Sequence, residues 1–278
     1  MWGTPETARS RKTCHRPAPE EIMDIRGKTV LVAGGTSGLG EGVARHFSAR
    51  GANVVIVGRR GAVAARIAAD LGVNALGIGA DIGDAEAVAA VVAATLDRFG
   101  TIDVNVNTAG ILAPVVLVTE AGRPSDTTVL TRLVSTNLIG TFNVMSHAAA
   151  VMLGNDPDED GERGVIINTS SVAAHEATTG LIGYAATKAA IEGMTLPAAR
   201  EFAGRGIRVN TIVPGGFDTP MVDDYVDEDT KAEGVKQFLN PRRLGTPDEF
   251  AAFAAHIVEN RYFNAASPRL DAGYRMPP

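Results

Sequence analysis

Short apolar runs alternate with amphipathic stretches along most of this chain. Thr29 to Ala33 is a β-branched apolar run that ends in a cluster of glycines. A helical pattern follows, with Val43, Ala44 and Phe47 on one face, and Gly51 stops it. Val54-Val55-Ile56-Val57 has the character of a second buried strand. An alanine-rich helix is expected over about 61–71, then a short strand from Leu76 to Ala80 that closes at Asp81. A helix from about Asp84 to Phe99 leads to a fourth strand, Ile102 to Asn107. A long helical stretch near 126–152 precedes the strand Val165-Ile166-Ile167-Asn168. A helix over about 182–203 precedes Arg208 to Val213, and one near 247–259 precedes a weak last strand near Pro268 to Leu270.

Strand and helix in strict alternation predict an α/β fold: one domain, doubly wound around a mostly parallel, seven-stranded sheet. No internal repeat and no linker divides the chain. Asn155 to Gly164 is rich in Asp and Glu and is expected to be a solvated loop. Residues 1–22 carry Arg9, Arg11, Lys12 and Arg16 beside three prolines, with no amphipathic period. Without an apolar centre they do not form a secretory signal. Glu6, Glu20, Glu21 and the prolines oppose a mitochondrial presequence. The expectation is a disordered tail over 1–22, followed by the folded domain over 23–278, with Met23 a candidate start.

Composition narrows the class of function. Hydrophobic residues make up 45% and charged residues 21%, as in ordinary globular domains. A net charge of -6 gives nucleic acid little to bind, and the pairs Arg59-Arg60 and Arg242-Arg243 do not alter that. No apolar run approaches the roughly 20 residues that cross a bilayer, so no membrane partner is expected. The single cysteine, Cys14, precludes an intrachain disulfide and fits a reducing, cytoplasmic setting. The five histidines show no metal-ligand spacing, and no metal is assigned.

The segment Ala33-Gly34-Gly35-Thr36-Ser37-Gly38-Leu39-Gly40 joins the first strand to the first helix. Glycines there let the backbone approach a pyrophosphate, and the helix N-terminus offers N–H donors. The spacing, with Gly34, Gly38 and Gly40 at G-x-x-x-G-x-G, resembles the short-chain dehydrogenase/reductase family rather than two-domain dehydrogenases. The resemblance implies a Rossmann fold and a nicotinamide dinucleotide cradled by Gly34, Ser37, Gly38, Leu39 and Gly40. Ala33 stands where that family usually has Thr. Asp81 and Ile82 resemble the family's adenine-contacting pair, and Asn107-Thr108-Ala109-Gly110 its N-N-A-G motif. Pro214-Gly215-Gly216-Phe217-Asp218-Thr219 resembles its P-G-x-x-x-T motif, which implies that Pro214, Gly215, Phe217 and Thr219 meet the nicotinamide end. After the second strand the sequence is Val57-Gly58-Arg59-Arg60. An acid there would select NAD by its ribose 2′-OH, whereas Arg59 can pair a 2′-phosphate, so NADP is favoured over NAD.

Tyr184-Ala185-Ala186-Thr187-Lys188 sets a tyrosine and a lysine on one face of a helix, about one turn apart. A free phenol titrates near about 10, too high for a base at neutral pH, and an adjacent ammonium is expected to lower it. Ser171, 13 residues before Tyr184, stands at the end of the fifth strand, where its hydroxyl can hold a substrate oxygen. Ser170 offers a second hydroxyl. The family spacing selects Ser171. The resemblance further implies that Lys188 bonds the nicotinamide ribose and that Asn137, in Asn137-Leu138-Ile139-Gly140, is a fourth catalytic member supporting a water linked to the lysine. Residues from about 219 to 245 are expected to form a substrate lid.

Longer stretches look like the type II 3-hydroxyacyl-CoA dehydrogenases within that family. They are Gly164 to Thr169 with Ser171 to Ala174, Gly193-Met194-Thr195-Leu196-Pro197, Arg269-Leu270-Asp271 with Arg275-Met276, and the acidic insertion before the fifth strand. The resemblance covers roughly 26–278. It implies a homotetramer that oxidises 3-hydroxyacyl-CoA thioesters and acts on steroid alcohols; the alternatives are an NADPH-dependent 3-oxoacyl reductase or a hydroxysteroid dehydrogenase. Three features depart from that branch: Gly58 in place of the NAD-selecting acid, Thr178, Thr179 and Leu181 in the wall before Tyr184, and Ser267-Pro268 in the last strand. A proline there must sit at an edge or bulge.

Overall fold

The computed structural model describes residues 23–225 and 227–276. The tail expected over 1–22 lies outside these residues. Strands β1 (Thr29–Ala33), β2 (Asn53–Gly58) and β3 (Ala75–Gly79) alternate with helices α1 (Gly38–Ala49), α2 (Gly61–Leu71) and α3 (Ala85–Phe99). β4 (Val104–Asn107) leads through α4 (Thr128–Leu133), a π-helical segment (Val134–Ile139) and α5 (Gly140–Met152) to β5 (Gly164–Thr169). Then come α6 (Ala173–Glu176), α7 (Ile182–Glu201), β6 (Ile207–Pro214), α8 (Pro220–Asp223), α9 (Glu228–Val235), α10 (Pro247–Glu259) and β7 (Arg269–Leu270). The strands form one sheet in the order β3-β2-β1-β4-β5-β6-β7, and every pairing is parallel, where the sequence had suggested mostly parallel.

Alternate residues of each strand feed two cores. Val30, Val32, Val54, Ile56, Val104 and Val106 pack under α1, α2 and α10, with Phe47 and Phe250 fully buried among them. Leu31, Val55, Val57, Ile166 and Val209 pack under α3, α5 and α7. Burial on both faces is why the strands read as continuous apolar runs rather than as alternating ones. Local signals agree with these boundaries. Asp84 caps α3 by accepting from the amides of Glu86 and Ala87, and Gly100 ends it in the left-handed region at φ 78°. Thr246 and Glu249 form a capping box at α10. The strand order reverses between β1 and β4, which opens a crevice at their carboxyl ends.

The structure revises or sharpens the sequence reading at four places. The helical stretch 126–152 is not continuous, because its middle turn is π-helical and carries Asn137. Such a bulge often marks a functional site. The 219–245 stretch contains two short helices, α8, which follows Thr219 without a side-chain cap, and α9, capped by the Asp227 carboxylate. The acidic insertion is not wholly solvated. Glu162 is buried and pairs with Arg208 at 2.7 Å. The other N–H groups of Arg208 bond the carbonyls of Ile257, Val258, Asn260 and Phe263 at the end of α10. Burial holds the Glu162 carboxyl above its usual range against the pull of Arg208. Pro268 lies just before the edge strand β7, where only its carbonyl is used, accepting from Val213 N at 2.9 Å. Among the described residues no helix is long and apolar enough to cross a membrane.

Candidate active site

The glycine turn is fixed by backbone rather than by side chains. A Cβ at Gly34 (φ +85°) would lie 2.5 Å from the amide nitrogen of Ala109. One at Gly40 would lie 2.3 Å from the carbonyl oxygen of Gly34 and 2.4 Å from Thr108 Oγ1. Thr108 donates to Ala33 O from both its amide (2.9 Å) and its hydroxyl (2.8 Å). The loop Thr108-Ala109 therefore lies directly on the turn, and only glycine fits at 34 and 40. Gly38 (φ +52°) faces Thr219, with 3.2 Å between its would-be Cβ and Thr219 Cγ2. Ser37 precedes α1 without a side-chain cap, which leaves the first-turn amides to an anion, and Leu39 packs on the core. This uncapped, closely walled turn fits a dinucleotide pyrophosphate.

At the end of β2, Arg59 and Arg60 are both exposed, and Arg60 turns toward the glycine turn. Arg60 Nη2 donates to Thr36 O (3.0 Å) and Ser37 Oγ (2.8 Å). Nothing in the pair's sequence distinguishes which arginine faces the glycine turn. A side chain at Gly58 would press on Thr36, 2.8 Å from its Cγ2. Asp81 accepts from Gly83 N at 2.9 Å, and Ile82 packs against Gly140. Asn107 is buried and is held between Asn105 and Asn168, donating to each at 2.8 Å. Gly215 abuts Asp271, and its amide donates to Leu270 O at 3.0 Å. The ring of Phe217 is a core group, edge-on to Phe250 at 6.1 Å, so only its backbone is placed to face a cofactor.

Tyr184 and Lys188 lie on the inner face of α7 and are 8% and 3% exposed. The Ser171 hydroxyl lies close enough to the Tyr184 phenol to favour its phenolate, and it accepts from Ala173 N at 3.1 Å. Ser170 points the other way, into α7, where its hydroxyl meets Lys188 O at 3.0 Å and Glu192 Oε1 at 2.6 Å. Pro214 O accepts from Val172 N at 3.0 Å and so ties the end of β6 to the Ser171 segment. Lys188 Nζ donates to Thr169 O at 2.9 Å and sits 5.6 Å from the centre of the Tyr184 ring. Lys188 Nζ and Asn137 Oδ1 both border Gly110, 3.4 and 3.5 Å from where its Cβ would be. The fully buried Asn137 side chain accepts from Ile111 N (2.8 Å) and donates to Ile111 O (2.9 Å) and Thr187 Oγ1 (3.1 Å). It thereby joins the π-helical turn to the loop after β4 and to α7.

The expected lowering of the tyrosine is reversed in the protein alone. Burial pushes the Tyr184 phenol up to about 12, and the Ser171 hydroxyl offsets this only in part. Burial also brings the Lys188 ammonium down to about 8. The physical reason is that both groups are desolvated together while Lys188 aims its proton at Thr169 O. At neutral pH the phenol is therefore a proton donor beside an ammonium that is still mostly charged. The chemistry open to this group is proton exchange with an oxygen held by Ser171.

Two contacts escaped the sequence reading. Tyr225, just after α8, bonds through its hydroxyl to Leu112 O across the crevice mouth. Phe238 stacks on Tyr274 at 4.7 Å and so joins the lid stretch to the C-terminal residues. Thr178 and Thr179 line an open hollow of about 570 Å³. It lies on the face of α7 that carries Ile182, Ala185, Ala186 and Ala189, away from Tyr184 and Lys188.

Residues 28–230 match the family model described as short chain dehydrogenase. The chain is 39% identical over 263 residues to 3-hydroxyacyl-CoA dehydrogenase type-2 of Rattus norvegicus, covering 92% of this chain and 98% of the rat protein. The crystal structure of 3-hydroxyacyl-CoA dehydrogenase type-2 from Mycobacterium avium superimposes with a TM-score of 0.86 at 36% identity, over 91% of this chain and 97% of that one. The 3-ketoacyl-(acyl-carrier-protein) reductase from Brucella melitensis, complexed with NADH, superimposes with a TM-score of 0.78 at 31% identity, over 91% of this chain and 100% of that one.

Proposed function

This chain belongs to the short-chain dehydrogenase family, and from that premise we propose that it interconverts 3-hydroxyacyl and 3-oxoacyl thioesters at Tyr184. It is an oxidoreductase of CH–OH groups that uses NAD(P). One observation carries the reading of the site: the buried Tyr184 and Lys188 side chains converge with the Ser171 hydroxyl, which lies near enough the phenol to favour its phenolate. When bound, the nicotinamide cofactor accepts or supplies the hydride at the carbinol carbon. Ser171 Oγ holds the substrate oxygen, and Tyr184 Oη takes its proton in oxidation or returns it in reduction. Lys188 steadies the phenolate with its charge and bonds the cofactor ribose. Asn137 fixes the loop at Ile111 beside that lysine.

The acyl thioester assignment rests on the named relatives and on their coverage of almost the whole chain. We assign NADP(H) ahead of NAD(H), because the end of β2 has no carboxylate and carries Arg59 and Arg60, the latter bonded to the glycine turn. A reductive direction is a second reading, supported by the protonated state that burial imposes on Tyr184. We further propose a homotetramer, since Ile139, Phe142, Ile182 and Leu196 leave apolar side chains 44–52% exposed along the π-helical turn, α5 and α7. The single cysteine suits the reducing cytoplasm. A panel of 3-hydroxyacyl-CoA, steroid and small secondary alcohols, each with NAD and with NADP, tests the assignment. Acyl-CoA should give the highest kcat/KM. A steroid preferred by tenfold or more would replace it.

A further inference from the structure

We propose that Glu192 is a positioning residue for the reaction: its one carboxylate clamps both flanks of Ser171 to the helix that carries Tyr184 and Lys188. Glu192 Oε1 accepts from the buried Ser170 hydroxyl at 2.6 Å, and Oε2 meets His175 Nε2 at 3.0 Å. Ser170 immediately precedes Ser171, and His175 lies on α6, the short helix that begins two residues after it. Glu192 itself is on α7, one turn beyond Lys188 and two beyond Tyr184. The Ser171 segment is already held to β6 on its other side, by Ser170 N to Ile212 O (2.9 Å) and Val172 N to Pro214 O (3.0 Å). Those bonds fix its place in the sheet but not its distance from α7. That distance separates the hydroxyl of Ser171 from the phenol of Tyr184. Lys188 Nζ crosses it to Thr169 O, before Ser171, while Ser170 and His175 cross it on the two flanks of Ser171, and both of these reach Glu192.

A charged acceptor makes short, strong hydrogen bonds, so one carboxylate shared by two donors is a stiff link. Small errors in the placing of a reacting group are costly to rate, whereas binding energy remote from them is unaffected. Glu192 has no contact with the glycine turn. The clamp should therefore govern kcat and leave cofactor affinity alone.

The inference rests on Ser171 and Tyr184 acting as proposed above, and a double-mutant cycle separates the two. In the full-length enzyme, Glu192→Ala should lower kcat about 10- to 100-fold, with KM and cofactor Kd within about twofold. Glu192→Gln keeps an oxygen for Ser170 and should recover most of the rate, and His175→Ala should lower kcat only about two- to fivefold. On a Ser171→Ala background, Glu192→Ala should add less than about a twofold loss, because the group it positions is gone. An equal loss on both backgrounds, or an unchanged kcat in Glu192→Ala, overturns the clamp. If Glu192→Ala does not fold, the Glu192→Gln and His175→Ala rates decide, and no change in His175→Ala overturns it. Full turnover in Ser171→Ala overturns the reading of Ser171 itself, and the clamp with it.

Discussion

The crevice has two walls of different construction. On the cofactor side, the glycine turn meets Thr108 and Ala109 backbone to backbone, and Asn105, Asn107 and Asn168 lock β4 to β5 beneath. On the lid side, between β6 and α10, the contacts run through long side chains. Tyr225 reaches Leu112, Lys231 pairs with Asp223, and Phe238 stacks on Tyr274. Leu239 stands 73% exposed and Tyr225 49%. A backbone wall admits almost no substitution without strain, while a side-chain wall can change its lining one residue at a time. On the function proposed above, the comparison assigns hydride and proton transfer to the rigid wall and choice of substrate to the other.

Substitutions in the two walls should differ accordingly. Gly40→Ala would drive a methyl into the Gly34 carbonyl and Thr108 Oγ1, at 2.3 and 2.4 Å. It should weaken cofactor binding by about 100-fold or more, together with about 1–3 kcal/mol of stability, read by cofactor titration and thermal unfolding. Retained affinity would show that the wall can yield. The pH dependence comes next. Reductive kcat/KM reports free-enzyme groups, and burial brings the Lys188 ammonium down to about 8 in the free protein. The rate should be level at neutral pH, where the phenol and the ammonium both hold protons, and should fall above about 8 by up to tenfold per unit. A profile flat through that region would remove Lys188 from the account. Gly58→Asp, which Thr36 must rotate to admit, should shift preference from NADP toward NAD by about tenfold. Measured kcat/KM ratios with the two cofactors check it. The smallest effect belongs to the lid: Tyr225→Phe should change KM by no more than about threefold and leave cofactor Kd unchanged.

The same division decides what could be read from the sequence. Glycines at 34, 38 and 40 are visible because a close backbone approach tolerates no other residue, and i, i+4 spacing alone puts Tyr184 beside Lys188. The strand runs were visible because both faces of the sheet are buried. By contrast, the two arginines after β2 are equivalent in sequence, and only the loop geometry turns Arg60 toward the glycine turn. Glu162 looked solvated within its acidic stretch because Arg208, its partner, lies on β6. The direction of the Tyr184 shift was misjudged because desolvation depends on everything packed around α7, not on the one lysine a turn away.

Replacing the phenol tests the central claim most directly. Tyr184→Phe removes one oxygen from a buried ring and leaves the glycine turn untouched. Turnover with acyl-CoA substrate should fall by about 10²- to 10⁴-fold, with cofactor Kd within about twofold of the wild type. Turnover within a few-fold of the wild type would show that the proton is exchanged elsewhere and would contradict the account.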